Sequence, residues 1–406
     1  MSELPEGMAL TPLNPAFREH PHAILEALRA AAPVHLDRAF ERFYLTRYAD
    51  VRAVLNDRSL AVDPRKLRED SPDRRNLPDD DDLSMLRLDD PDHKRLRGLV
   101  AQAFNQRSTD AMRPRIAEVA SALLDDLAGA PSFDLLEAYA APLPTIVIAE
   151  MMGVDATDLP SFRRWSDAMI HVFNPAPTDA QRERLIDADR NLKDYFADVV
   201  ARRRRVPRDD LVGALAAAEE QGERLSAQEI VTTCNLLLLA GNMTTTDLIG
   251  NGVLALLEHP AELGKLQTSP QLIRNAVEEM LRFDPPVAQV MRVATCPTTI
   301  GGCPIAAQDK IESSLLAAGR DPAVHADPHR FDVERLDPSH VAFGGGVHFC
   351  LGAPLARAEA QIGITALLDH FPSLSLDPAR PPRRKAAPTF NGLEALWLVA
   401  AARTDA

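Results

Sequence analysis

The sequence predicts a mainly helical protein, and three observations carry that expectation. Aromatic residues make up only 5% of the chain while Ala, Leu, Arg and Glu are abundant, a composition that favours helices over sheets. A capping box, Ser226-Ala227-Gln228-Glu229, opens a proline-free pattern that runs to about Leu257. At 1.5 Å per residue such a helix is a rod of roughly 48 Å. Leu236-Leu237-Leu238-Leu239 in its middle demands a central, buried position. Finally, Ala353 to Ile364 has helical period with Pro354 in its first turn, directly after a glycine-rich loop.

The 46% hydrophobic content supports a large core, and no stretch of the 406 residues reads as a linker, so one domain over 1–406 is expected. A net charge of −14 argues against a nucleic-acid surface. Four scattered cysteines make no disulfide framework, which points to a reducing, cytoplasmic compartment. The start, Met1-Ser2-Glu3-Leu4-Pro5-Glu6-Gly7, shows neither a basic n-region nor an apolar h-region. Apolar runs such as Leu236–Ala240 fall far short of the ~20 residues that span a bilayer. A soluble protein with no membrane partner is therefore expected.

From the N-terminus, Pro21–Ala31 reads as a helix, Val34-His35-Leu36 and Phe43-Tyr44-Leu45-Thr46 as strands, and Ala49–Leu55 as a second helix. Asp63 to Asp82 is polar, interrupted by Pro64, Pro72 and Pro78, and closes on Asp79–Asp82; it is expected to form a mobile loop. Asp90-Pro91 reads as an N-cap followed by a first-turn proline, with the helix continuing through His93, Arg97, Val100 and Phe104. Helical patterns follow around 110–128, 134–152, 158–173 and 178–205, with a break from Val172 to Pro177. Arg202–Arg205 could suggest nucleic acid, but cations closing a helix before Asp209 and Asp210 are the ordinary explanation. A further helix ends at Phe283, Val287–Arg292 alternates as a strand, and Thr389-Phe390-Asn391-Gly392 reads as a hairpin turn.

The chemistry concentrates in Phe343-Gly344-Gly345-Gly346-Val347-His348-Phe349-Cys350-Leu351-Gly352. Glycines there let backbone approach a flat ligand, and the helix that follows would hold Cys350 as the thiolate. Zinc would need grouped ligands, and Cys234, Cys296 and Cys303 have no Cys-x-x-Cys spacing around it. A single axial thiolate on haem iron needs one cysteine. The alternative is a buried structural cysteine in a glycine-rich turn.

This loop resembles the haem-binding loop of the cytochrome P-450 family, with Phe343, Gly346, His348, Cys350 and Gly352 at the family's spacing. Pro91-Asp92-His93-Lys94-Arg95-Leu96-Arg97 and Ala240-Gly241-Asn242-Met243-Thr244-Thr245-Thr246-Asp247 resemble two further motifs, in the family's order. The resemblance implies an α-rich fold with small β-sheets, haem b between the long helix and the Cys350 loop, and a soluble, bacterial type of monooxygenase. It also implies two electrons from NAD(P)H through ferredoxin reductase and ferredoxin, and a monomer. The stretch 63–82 would gate the pocket and 172–177 would form a lid, making Met169, Val172 and Phe173 pocket candidates.

Site roles follow residue by residue. Cys350 would be the axial ligand. His93 and Arg97, at i and i+4, would hold haem propionates, as would Arg292, against the plainer reading of a solvated surface helix that Lys94 and Arg95 alone would support. Thr244 falls on the family's oxygen-binding threonine, against a helical Thr bonding back to the i−4 carbonyl. Met243 stands where the family usually has Asp or Glu, and methionine cannot carry a proton. Asp247, at i+3 from Thr244, is the nearest ionisable substitute, or else is held by hydrogen bonds elsewhere. Glu279 and Arg282 would be completed by Arg335 as a structural triad bracing the haem loop. Leu236, Leu239, Ala240, Ala288, Val290 and Phe390 are pocket candidates and favour a small to medium hydrophobic substrate. Lys94, Arg95 and Arg357 would form a basic patch for an acidic ferredoxin. Two other readings stay open: direct use of hydrogen peroxide, which Met243 keeps alive, and a haem-binding sensor without turnover.

Overall fold

The structure, a computed structural model, describes residues 4–75, 83–169, 178–208, 210–220 and 226–400. Asp79–Asp82, Val172, Phe173 and Asp209 lie outside them. Helices dominate, and the strands are short. The chain divides into two compact units, one of Met1–Leu77, Asp247–Cys350 and Leu374–Trp397, the other of Pro78–Thr246, Leu351–Ser373 and Leu398–Ala406.

The first unit is built on a five-stranded sheet in the order Val34–Asp37, Arg42–Leu45, Lys310–Ser314, Gln289–Ala294, Leu60–Ala61. Arg42–Leu45 runs parallel to Lys310–Ser314, and the other neighbours are antiparallel. Helix Pro21–Ala31 buries Leu25 and Leu28, three residues apart, against Leu10, Phe17, Tyr44 and Leu316. Each such leucine contributes roughly 1.5–3 kcal/mol. Helix Tyr48–Asn56 turns Val51, Val54 and Leu55 into a second cluster with Leu45, Ile311 and Leu315. The turn at Thr389–Gly392 closes a short pair, Arg383–Arg384 with Leu393–Ala395, through Lys385 N–H to the Gly392 carbonyl at 2.9 Å.

In the second unit, helix Gln106–Asp125 packs along Ala353–His370, and the buried Tyr139 hydroxyl donates to the Gly363 carbonyl at 2.7 Å. Phe162 joins helices Leu159–Met169 and Asp179–Arg205 by edge-on contacts with Tyr195 and Phe196, at centroid distances of 4.6 and 5.6 Å. At the end of the second helix Arg203 donates to Asp210 and to the Gly153 carbonyl, both at 2.7 Å, and Arg202 pairs with Asp198. Arg202 and Arg203 of the run thus act as a structural clasp.

Three boundaries depart from the expectation. The pattern at 134–152 is a strand Ser132–Asp134, a π-turn Leu136–Ala140 and a helix Pro142–Met152. Pro142 has no N–H to donate, so the preceding turn closes through Ala141 N–H to the Leu136 carbonyl, five residues back, at 3.0 Å. The helix expected over 110–128 begins earlier, because Asn105 caps it by accepting from Ser108 N–H at 2.9 Å. The helix after Asp90-Pro91 starts at Asp92, with Pro91 as the N-cap residue, so Asp90 does not cap it. The capping box at Ser226 does form in both directions, and the long helix runs Ala227–Glu258, 32 residues. Its part through Thr246 belongs to the second unit and the remainder to the first. Among the described residues no helix is long and apolar enough to cross a membrane.

Candidate active site

The Cys350 loop is shaped by two glycines in the left-handed region, Gly344 at φ 71° and Gly346 at φ 63°. A Cβ on Gly346 would stand 2.7 Å from the Leu55 carbonyl oxygen, too close to exist. The neighbouring Asn56 Oδ1 accepts from Gly346 N–H at 3.1 Å, fastening the loop to helix Tyr48–Asn56. Cys350 N–H donates to the Phe343 carbonyl at 2.9 Å and closes the turn. Cys350 is exposed together with the apolar Val347 and Phe349, while His348 and Phe343 are half-buried. Gly352, the N-cap residue of Ala353–His370, has an ordinary φ of −82°, and no atom of the described residues lies within 4 Å of where its Cβ would be. Protein packing does not require that glycine.

His93 and Arg97 share one helix in the second unit. His93 is buried and its Nδ1 lies 3.3 Å from Asp90 Oδ1; burial lowers its pKa against the pull of Asp90. Arg97 is half-buried. Arg95, between them, pairs with Glu229 and with Asp92 at 3.3 Å. Its charge is neutralised there, which removes it from the expected basic patch. Arg292 is buried on its strand in the first unit, with Nη1 donating to the Met291 carbonyl at 2.9 Å.

On the long helix, Ala240 is exposed and Leu236, Leu239, Gly241 and Thr244 are half-buried, so one stripe of its second-unit part is apolar and accessible. Thr244 Oγ1 donates to the Ala240 carbonyl at 2.8 Å, and Thr246 does the same toward Asn242 at 2.9 Å. Met243 is buried. Asp247, in the first unit, is wholly buried and accepts from Lys385 Nζ at 2.6 Å. Burial raises its pKa and the Lys385 charge opposes the rise. A Cβ on Gly392 would stand 2.1 Å from this carboxyl, so the hairpin turn can pass over Asp247 only as glycine.

Glu279 and Arg282, both buried, form one cluster with the half-buried Arg335. Glu279 accepts from Arg282 at 2.6 and 2.8 Å and from Arg335 Nε at 3.0 and 3.1 Å. Arg282 also donates to the Gly319 and Pro328 carbonyls, and Arg335 to the Ala326 and Arg330 carbonyls. These bonds tie the helix Ile273–Phe283 to the chain that leads into the Cys350 loop.

Of the other pocket candidates, Ala288 packs with Leu10, Phe17 and Leu316, Val290 packs on the cluster around Leu45 and Ile311, and Met169 is buried. Phe390 lines a small, open cleft with Arg18, Arg384 and Lys385. Sequence reasoning missed Asn56, Lys385 and the buried Glu359, each of which acts across a long sequence separation. Nothing local marks them.

The family model described as "Cytochrome P450" matches residues 41–393. The vitamin D(3) 25-hydroxylase of Pseudonocardia autotrophica is 40% identical over 365 residues, 89% of this chain and 88% of that protein. A myxobacterial cytochrome P450 solved with myristic acid superposes at a TM-score of 0.88 with 38% identity, covering 96% of this chain and 98% of that one. P450BioI, solved with a hexadec-9Z-enoic acid ligated acyl carrier protein, gives 0.87 with 34% identity over 95% and 99%. A family that binds haem through a cysteine thiolate, a fold shared at this level and relatives named as hydroxylases leave one assignment: the chain belongs to the cytochrome P450 family and is a monooxygenase of the bacterial type.

Proposed function

We propose that this enzyme hydroxylates a small to medium hydrophobic compound, using dioxygen and two electrons carried from NAD(P)H by a ferredoxin reductase and a ferredoxin. The observation that carries the reading is Cys350, exposed at the end of a turn that Gly346 and Asn56 fix. The residues present fit a haem. Gly352 leaves open the space that a Cβ would fill, Ala240 and Gly241 expose a small-residue face, and Val347 and Phe349 are exposed apolar side chains beside the cysteine. Cys350 would supply the axial sulfur, with His93, Arg97 and Arg292 as cationic or hydrogen-bonding partners for propionates and Phe343, Gly346, His348 and Gly352 framing the ligand. Bound haem supplies dioxygen activation, which no side chain can provide.

The chain's own part is positioning. Leu236, Leu239 and Ala240 present an apolar stripe to substrate, and Thr244 offers a hydroxyl on the same helix. The triad Glu279–Arg282–Arg335 braces the segment before the loop without touching reactants. A complex with myristic acid and a vitamin D(3) 25-hydroxylase among the relatives support a hydrophobic substrate. The whole activity would reside in one domain in the cytoplasm. A compound that binds beside the iron should shift the Soret band of the holoenzyme from low to high spin. The same compound should be hydroxylated with ferredoxin, its reductase and NAD(P)H. Turnover with hydrogen peroxide but never with the ferredoxin system would favour the peroxygenase reading, which Met243 supports.

A further inference from the structure

The turn Thr389–Gly392 is poorly fixed by its own hairpin. The strands that carry it, Arg383–Arg384 and Leu393–Ala395, are short, pair only with each other, and change register between Arg383 and Arg384. An isolated pair of such strands does not hold a loop in one place. The first-unit part of the long helix holds it instead. Asp247, 0% exposed, accepts from Lys385 Nζ at 2.6 Å, and Lys385 N–H donates to the Gly392 carbonyl at 2.9 Å, so the ion pair grips the loop at its neck. Asn251, one helical turn on, donates from Nδ2 to the Asn391 carbonyl at 2.7 Å. Asn391 itself donates from Nδ2 to Asp284 Oδ1 at 2.6 Å and from its backbone N–H to the Pro286 carbonyl at 2.7 Å. Ala288 N–H donates to the Thr389 carbonyl at 2.8 Å, and Val287 bridges Phe390, which seats the turn on the stretch leading into strand Gln289–Ala294. Val287, Val290 and Thr389 are half-buried, so this junction keeps an accessible, largely apolar face.

A buried ion pair adds little stability, because desolvating both charges offsets their attraction, but its geometry is narrow and fixes position. Asp247 Oδ2 has no partner among the described residues, so there Lys385 alone compensates the carboxylate, and Gly392 is packed directly against it. We infer that Asp247 and Lys385 are a positioning clamp, which sets how closely the turn Thr389–Gly392 sits over Val287 and Val290 and thereby how bulky a ligand the enzyme accepts beside the iron. The inference rests on the monooxygenase reading above, in which Arg292, on the same strand as Val290, holds a propionate. Without Lys385 a bare carboxylate stays buried under the Gly392 backbone, and the turn must shift to let water reach it.

The test uses the full-length holoenzyme, its Lys385→Met and Lys385→Arg variants, and two iron-binding probes followed by the Soret shift. Imidazole is too small to reach the turn, and phenylimidazole adds a ring to the same iron-binding group. In Lys385→Met the ratio of the two dissociation constants should change at least about tenfold, while imidazole itself stays within about twofold and Lys385→Arg keeps the wild-type ratio. A lysine that served stability alone would leave the ratio unchanged. Independently of haem, the Lys385 and Asn391 amides of the haem-free protein should exchange hydrogen at least about tenfold faster in Lys385→Met, and those of helix Ile273–Phe283 at the wild-type rate. An unchanged ratio, or unchanged exchange at the turn, overturns the inference. If Lys385→Met fails to bind haem, Asp247→Asn replaces it in the ligand measurement and the exchange experiment stands as it is. Absence of a thiolate-ligated carbon monoxide spectrum in the wild type would instead overturn the monooxygenase reading, and the exchange rates would still decide whether the ion pair fixes the turn.

Discussion

Two glycines flank Cys350 for different physical reasons, and substitution should separate them. Gly346 is required by the protein itself, since its φ of 63° and the Leu55 carbonyl leave no room for a Cβ. Gly346→Ala should therefore lower the stability of the haem-free protein by about 1–3 kcal/mol, measured as a denaturant midpoint. Gly352 meets nothing within 4 Å, so Gly352→Ala should change haem-free stability by less than about 0.5 kcal/mol and yet weaken haem retention. Equal effects of both on the haem-free protein would show that Gly352 answers to packing. The loop motif was legible residue by residue because glycine conformation and cysteine chemistry are local properties. Glu359 was not, because an acid within an Ala-rich helix reads as a solvated residue until tertiary packing buries it. Asp247 teaches the same lesson: spacing put it near Thr244, but its hydrogen-bond partner is Lys385, 138 positions away.

At the level of elements, Glu279 is fully buried with two arginines on its carboxylate, so removing one partner leaves charge without compensation. Arg282→Ala should destabilise the fold by about 3–5 kcal/mol, as breaking a buried ion pair does. A loss below about 1 kcal/mol in a chemical denaturation curve would show that neither the Arg282 ion pair nor its carbonyl bonds hold the helix Ile273–Phe283 in place. The long helix was readable almost to the residue, since a capping box opens it and Pro260 begins the next helix. The expected helix at 134–152 failed where Pro142 forced a π-turn, a backbone effect that apolar periodicity alone does not report. Nor could helix spacing show that Arg95 is neutralised by Glu229, which belongs to the capping box of a different helix.

Over the whole molecule, acid sensitivity should have a defined window. Burial, reinforced by the Arg320 charge, lowers His22 to about 4, and burial lowers His325 to about 4, from an ordinary value of 6.5. A histidine held neutral in the fold binds its proton more readily once unfolded. The stability it contributes is therefore complete above pH 6.5 and is lost as pH falls from there toward 4. The thermal midpoint should drop across that interval, and His22→Gln should flatten part of the fall; an unchanged slope in the variant would assign the loss to other groups. The haem-thiolate assignment, on which every functional statement depends, is tested most directly by the spectrum of the reduced carbon monoxide complex. The wild-type holoenzyme should show the red-shifted Soret band that a thiolate ligand produces, and Cys350→Ala should lose it. A Cys350→Ala protein that keeps the band would contradict Cys350 as the iron ligand.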